Sequence, residues 1–201
     1  MTKQFKQALL DSIKVKESLL DNGYIDQLKK IGDLIISCIK SGNKVMFCGN
    51  GGSAADAQHL VAEMLVRLRP KINRQALPAI SLTLDVSTIT ACGNDFGFVH
   101  LFERNVQALG RKGDLLICIS TSGMSKNIEL ATKAAINNKI ISIGLLGNQG
   151  GMLKDLCNES IIIPSQNTAR IQECHITLGH ALIEYVEDQL LEDEFISINW
   201  K

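Results

Sequence analysis

The sequence predicts an α/β fold, a doubly wound parallel sheet of five strands preceded by a helical extension. Three observations carry this expectation. Five short, nearly continuous apolar runs recur along the chain, as strands buried on both faces do. Helical stretches separate those runs, and strands alternating with helices build parallel sheets. The first 42 residues show only the helical period, so the helices there stand ahead of the first strand.

Residues 2–21 and 25–41 are read as two helices, broken at Asn22-Gly23 and stopped at Ser41-Gly42. Strands are expected at Lys44–Cys48 (KVMFC), Ala79–Leu84 (AISLTL), Asp114–Ile119 (DLLICI), Ile140–Leu145 (IISIGL) and Ser160–Ile163 (SIII). Helices are expected near Ala54–Arg67, Val86–Leu109, Lys126–Asn138 and Gly151–Cys157, and a long last one from about Thr168 to Leu191. No repeat, low-complexity tract or linker interrupts them. The expected organisation is one continuous domain over residues 43–201, with residues 1–42 packing on it and taking part in oligomerisation.

The 201 residues are 45% apolar and 21% charged, ordinary for a globular chain. Lys+Arg and Asp+Glu balance at 21 each, so no basic field exists to hold nucleic acid or an anionic membrane. A local cluster, Arg67, Arg69, Lys71 and Arg74, reads as a solvated loop. No apolar run approaches the ~20 residues that span a bilayer. The start is amphipathic with both charge signs, a packed helix and not a secretory leader. Cys38, Cys48, Cys92, Cys118, Cys157 and Cys174 are widely spaced without a C-x-x-C pair, which suits free thiols and a cytoplasmic location.

Two strand exits are chemically unusual. In Phe47-Cys48-Gly49-Asn50-Gly51-Gly52-Ser53-Ala54 a strand enters a Gly-rich turn and then a helix. Glycine lets the backbone approach a ligand, and free N–H groups at a helix start favour an anion or an oxygen-rich molecule. The pattern is neither G-x-G-x-x-G nor a Walker loop, and a plain tight turn remains an alternative. In Ser120-Thr121-Ser122-Gly123-Met124-Ser125 four hydroxyls surround one glycine at a helix start. Hydroxyls and backbone N–H groups can enclose a phosphate without fixed positive charge; the alternative is that Ser125 merely caps the next helix, which would need only one of the four hydroxyls.

His59 and Glu63, four apart, share a helix face about 40° apart, and Gln172 and His180, eight apart, differ by about 80° and ~12 Å of rise. By themselves His59 and Glu63 read equally as a surface pair, and His180 as a core histidine. His175 lies elsewhere on its helix and reads as structural.

FCGNGGSAADAQH followed by ISTSGMSKN resembles the sugar-isomerase (SIS) domain. LPAISLT, GNDFGF, VQALGRKGDLL, PSQNTARIQECHI and GHALIEYVE extend the resemblance, in order and spacing, to the bacterial phosphoheptose isomerases over nearly the whole chain. The resemblance implies a homotetramer with active sites where subunits meet. It implies aldose–ketose isomerisation of sedoheptulose 7-phosphate to D-glycero-D-manno-heptose 7-phosphate, opening the synthesis of nucleotide-activated heptose for lipopolysaccharide or capsule. Substrate contacts are implied for Asn50, Gly51, Gly52, Glu63, Asn94, Asp95, Ser120, Thr121, Ser122, Ser125 and Gln172. One Zn2+ per subunit is implied at His59, Glu63, Gln172 and His180. Some members carry an aspartate where this chain has Ala169.

Within that resemblance Glu63 is expected to move the carbon-bound proton and His180 to serve the oxygens of an enediolate. A metal-bound carboxylate is a weaker base, so Glu63 serves only with one oxygen free or with its metal bond loosened. Three other classes stand against this reading. Another SIS isomerase or lyase would share the phosphate loop. A non-catalytic SIS regulator, similar to the homologue that binds the replication initiator, would have no need of the acid–base set. A Rossmann nucleotide binder would need a fingerprint that is absent here.

Overall fold

A computed structural model describes residues 2–20 and 23–198 of the chain. Its elements are α1 (Thr2–Glu17), α2 (Tyr24–Lys40), β1 (Val45–Gly49), α3 (Gly52–Leu65), β2 (Ala79–Ser81), α4 (Val86–Asp95), α5 (Leu101–Leu109), β3 (Leu115–Ser120), α6 (Lys126–Asn137), β4 (Ile141–Gly147), α7 (Leu153–Leu156), β5 (Glu159–Ile163) and α8 (Thr168–Glu192). All five strands run parallel, in the order β2-β1-β3-β4-β5.

Side chains alternate across the sheet and feed two apolar layers. Val45 and Phe47 of β1 with Leu115, Ile117 and Ile119 of β3 meet α2, α3 and α8 on one face. Met46, Cys48, Leu116 and Cys118 meet α4 to α7 on the other. Strands buried on both faces need apolar residues at every position, which explains the continuous runs in the sequence. Each fully buried Leu or Ile contributes roughly 1.5–3 kcal/mol of transfer free energy. All six cysteines are free thiols, and Cys48 and Cys118 sit opposite each other in the sheet. Among the described residues no helix is long and apolar enough to cross a membrane.

Four expectations are corrected. The helix expected over Val86–Leu109 breaks after Asp95. Gly97, with φ 88°, reverses the path into a short 3-10 turn, Phe98–His100, before α5 begins. The second strand stops at Ser81 instead of Leu84, because it is an edge strand whose Ser81 and Thr83 hydroxyls bond each other at 2.7 Å. The first helix ends at Glu17; Asp21 and Asn22, its expected end and breaker, lie outside the described residues. Arg74, expected in a solvated loop, is only 3% exposed.

The order of strands locates a ligand site. The chain leaves β1 toward β2 on one side, and leaves β3 toward β4 on the other. The connections diverge there, opening a crevice at the carboxyl ends of β1 and β3, where ligands bind in open α/β sheets. The Gly-rich loop and the Ser/Thr loop are the two loops that leave from that point.

Candidate functional site

The Gly-rich loop takes its shape from Gly51, which precedes α3 at φ 56° and ψ −121°, a conformation a side chain rarely adopts. No side chain caps α3; the Ser53 and Ala54 N–H groups donate to the Asn50 and Gly51 carbonyls, each at 3.0 Å, which closes the loop onto the helix. Gln172 of α8 lays its amide on this loop, close enough that a methyl group on Gly52 would collide with it. Asn50 reaches across the crevice. Its amide exchanges two hydrogen bonds, at 2.9 and 2.8 Å, with that of Asn127 on α6, so the two loops are tied together. Asn127 is 4% exposed.

In the second loop Ser120 is buried at the end of β3, and its hydroxyl accepts from the Gly123 N–H at 3.1 Å. Ser125 stands at the N-cap position of α6 but makes no capping bond. Its hydroxyl lies 3.2 Å from that of Ser120. The Ser122 hydroxyl accepts from the Met124 N–H at 3.2 Å. The hydroxyls therefore organise the loop while the start of α6 stays open to an anion, as phosphate sites at helix starts require.

Two turns along α3 from Gly52, three titratable side chains converge. His59 Nε2 and His180 Nε2 are 2.8 Å apart, with the rings edge to face, and His59 Nε2 is 3.4 Å from Glu63 Oε1. One ligand atom from each of the three lies within 4.8 Å of the others. Four-coordinate zinc with ligand bonds near 2.0–2.1 Å holds its donors roughly 3.3 Å apart, so this nitrogen and oxygen set fits such an ion with small side-chain adjustments. His59 is exposed and the other two half-buried, so solvent or substrate reaches the cluster.

The cluster depends on how closely two helices meet. Gly179 of α8 faces Leu60 of α3, and a Cβ there would fall 2.6 Å from Leu60 Cδ2. Glycine at 179 brings the two backbones together beside His180. Gly52 meets Gln172, and about two turns further along both helices His59 and Leu60 meet His180 and Gly179. α3 and α8 therefore run parallel, side by side.

The structure thus brings His59, Glu63 and His180 together and sets Gln172 against Gly52. Asn94 and Asp95 end α4, where the Asn94 amide donates to Asp95 at 2.7 Å on an exposed surface. His175 is buried, its Nε2 bonded to the Leu146 carbonyl at 3.0 Å, and burial holds its pKa below the usual histidine value.

Two polar residues, Asp56 and Asn127, lie within the two unusual strand exits but have no role assigned from the sequence. Asp56 lies one turn before His59, with Oδ2 buried and unpartnered. Burial pushes its carboxyl above the usual carboxylate range, and His59 and His180 oppose that shift. Asn127 was the other, hidden because its partner, Asn50, is 77 residues away.

The SIS-domain family model matches residues 10–147 of the chain. The phosphoheptose isomerase of Clostridium acetobutylicum is 46% identical over 194 residues, covering 96% of this chain and 98% of its own. That of Aneurinibacillus thermoaerophilus is 42% identical over 199 residues, covering 98% and 100%. Among solved structures, the phosphoheptose isomerase from Neisseria gonorrhoeae superposes with a TM-score of 0.85 at 40% identity, covering 93% of this chain and 98% of its own. The one from Francisella tularensis gives 0.88 at 36% identity with the same coverage.

Proposed function

Because this chain belongs to the SIS-domain family, and within it to the phosphoheptose isomerases, we propose that it converts sedoheptulose 7-phosphate to D-glycero-D-manno-heptose 7-phosphate. The observation that carries this reading is the meeting of His59, Glu63 and His180 two turns along the helix that leaves the Gly-rich loop. A seven-carbon sugar phosphate has its reacting carbons at one end and its phosphate at the other. Acid–base groups set apart from a phosphate loop match that separation.

Ser120, Thr121, Ser122 and Ser125 hold the phosphate, with the open N–H groups of α6 behind them. Asn50, Gly51, Gly52 and Gln172 bind the hydroxyls along the sugar. Glu63 takes the proton from C1 and returns it to C2, while His180 moves a proton between O1 and O2. Zinc held by His59, Glu63, Gln172 and His180 would supply polarisation of the carbonyl oxygen when bound. Glu63 has two carboxylate oxygens, so one can face the metal while the other faces carbon. The neutral Asn50–Asn127 pair keeps the crevice polar without adding charge beside the phosphate.

The functional unit is a homotetramer in the cytoplasm. None of the α1 residues is buried within the chain, and Phe5, Leu9 and Ile13 form an exposed apolar stripe at helical spacing. Phe96 and Phe98, also exposed, flank the exposed end of α4, where Asn94 and Asp95 would reach the substrate of a neighbouring subunit.

The test is direct. Purified protein is incubated with sedoheptulose 7-phosphate, with and without added zinc, and the products are analysed for an aldoheptose phosphate. Formation of that product, greater with zinc, is expected. No aldose in either arm contradicts the assignment.

A further inference from the structure

Arg74 sits in a loop where Arg67 and Lys71 are exposed, yet its side chain and that of Glu187 on α8 are both 0% exposed. The Arg74 guanidinium donates through Nε to Glu187 Oε1 at 2.6 Å. Its Nη1 donates to the Met64 and Gln75 carbonyls at 2.9 and 2.8 Å, and its Nη2 to the Glu63 carbonyl at 2.9 Å. Arg69 holds the other Glu187 oxygen at 2.9 Å and Asp188 at 2.6 Å. One buried cation therefore grips the last turn of α3 and, through Glu187, the side of α8.

A buried ion pair is a poor device for stability alone. Desolvating both ions costs about as much as their attraction returns, and apolar residues of similar volume usually do as well. Its value is directional. The apolar contact between α3 and α8, through residues such as Leu60, Val61, Leu182 and Val186, resists separation but tolerates sliding. A fork of hydrogen bonds to fixed carbonyls does not. Parallel helices also place like dipole ends together, and the guanidinium offsets the partial negative charge where α3 ends.

The clamp acts on the residues that carry the chemistry. It holds the backbone carbonyl of Glu63 itself. Glu187 lies seven residues past His180, so both project from nearly the same face of α8, about two turns apart. Sliding one helix by a single residue would move Glu63 about 1.5 Å relative to His180. Proton transfer demands heavy-atom approaches of about 2.6–3.2 Å, and a ~1 Å misplacement costs about 10²-fold in rate.

We infer that Arg74 is a positioning residue, which together with Glu187 locks the axial register of α3 against α8 so that Glu63 and His180 face the same reacting carbons. The inference rests on the isomerase reading above for its kinetic consequence, but not for its structural one.

The experiment uses the full chain carrying Arg74→Met with Glu187→Met, which removes both charges and keeps apolar volume, beside Glu187→Gln and Arg74→Lys alone. Folding is followed by circular dichroism, turnover by sedoheptulose 7-phosphate kinetics, and register by the crystal structure of the double variant. The double variant is expected to fold. Its kcat should drop about 30–100-fold, while KM stays within about threefold because the phosphate loop lies across the crevice. His59 and His180, 2.8 Å apart here, should separate by about 1 Å or more, the scale of a one-residue slip. Arg74→Lys, which keeps the charge but loses the fork, should fall between wild type and double variant. Wild-type kcat and unchanged His59–His180 spacing in the double variant overturn the inference. Its failure to fold does so too, by assigning the pair to stability. If the unsubstituted chain does not isomerise the sugar, the assigned reaction fails, and the crystal structure alone still judges the clamp.

Discussion

At Ser125 the hydroxyl turns to Ser120 and leaves the first turn of α6 without a side-chain cap. A serine at a helix start usually accepts from the second or third N–H of the helix. Here the Ser125 hydroxyl accepts neither, and the third, that of Ile128, donates to the Ser125 carbonyl at 3.1 Å. Replacing Ser120 and Ser125 together with Ala should weaken binding of sugar phosphates by about 1–3 kcal/mol, through lost hydrogen bonds to a charged group. Calorimetry with substrate at low temperature checks it, and dephosphorylated sedoheptulose should be indifferent to the change. Wild-type affinity in the double variant places the phosphate elsewhere. His59 offers a second check at this scale. His59→Ala removes an exposed member of the cluster, so zinc content and turnover should both fall, read by metal analysis of protein purified without chelator. Full metal content in His59→Ala and His180→Ala alike contradicts the ligand assignment.

Some residues were legible in the sequence and others were not, for physical reasons. The hydroxyl run at residues 120–125 and the glycines at 49–52 announce themselves because their chemistry is local. Arg74 reads as one charge in a solvated loop, since nothing near it reveals that Glu187, 113 positions on, will bury it. Asp56 hides inside a helical run, and the sequence there does not show that its Oδ2 is buried. Long-range partners decide these cases, and a linear pattern does not contain them.

Among the elements, α3 and α8 bring His59, Glu63 and His180 together, and their closeness rests on Gly179. Gly179→Ala adds a methyl group against Leu60, which is 1% exposed and has little room to retreat. The overpacking should cost about 1–3 kcal/mol and part the helices. Thermal denaturation should show a melting temperature lower by several degrees, at roughly 2–4 °C per kcal/mol for a chain of this size. An unchanged melting temperature would mean that the helix interface has slack. The strands were readable as elements because burial on both faces leaves unbroken apolar runs. The break between α4 and α5 was not, because apolar residues continue across it and the single Gly97 turns the chain.

For the whole molecule, two apolar layers around one parallel sheet are complete within the chain, whereas the outer face of α1 is not covered. Phe5, Leu9 and Ile13 are 73%, 67% and 50% exposed. Light scattering should therefore report an oligomer, a tetramer on the proposed reading, and Leu9→Glu with Ile13→Glu should dissociate it with loss of turnover. A dilute monomer of full activity removes both the assembly and the shared site. The switch point at the carboxyl ends of β1 and β3 follows from strand order.

The central claim is that Glu63 moves the carbon-bound proton. It stands one turn beyond His59, 3.4 Å from the His59 imidazole, and the proposed reading sets it at the end of the sugar away from the phosphate. Glu63→Gln keeps the shape and an oxygen for a metal while deleting the base. Exchange of the C1 proton of sedoheptulose 7-phosphate with deuterated solvent, followed by NMR, reads the abstraction step alone. In Glu63→Gln that exchange should fall with isomerisation by at least ~10²–10⁴-fold, while binding of a substrate-like sugar phosphate changes little. Exchange at the wild-type rate would contradict the account and leave Glu63 a ligand, with His180 the next candidate for the base.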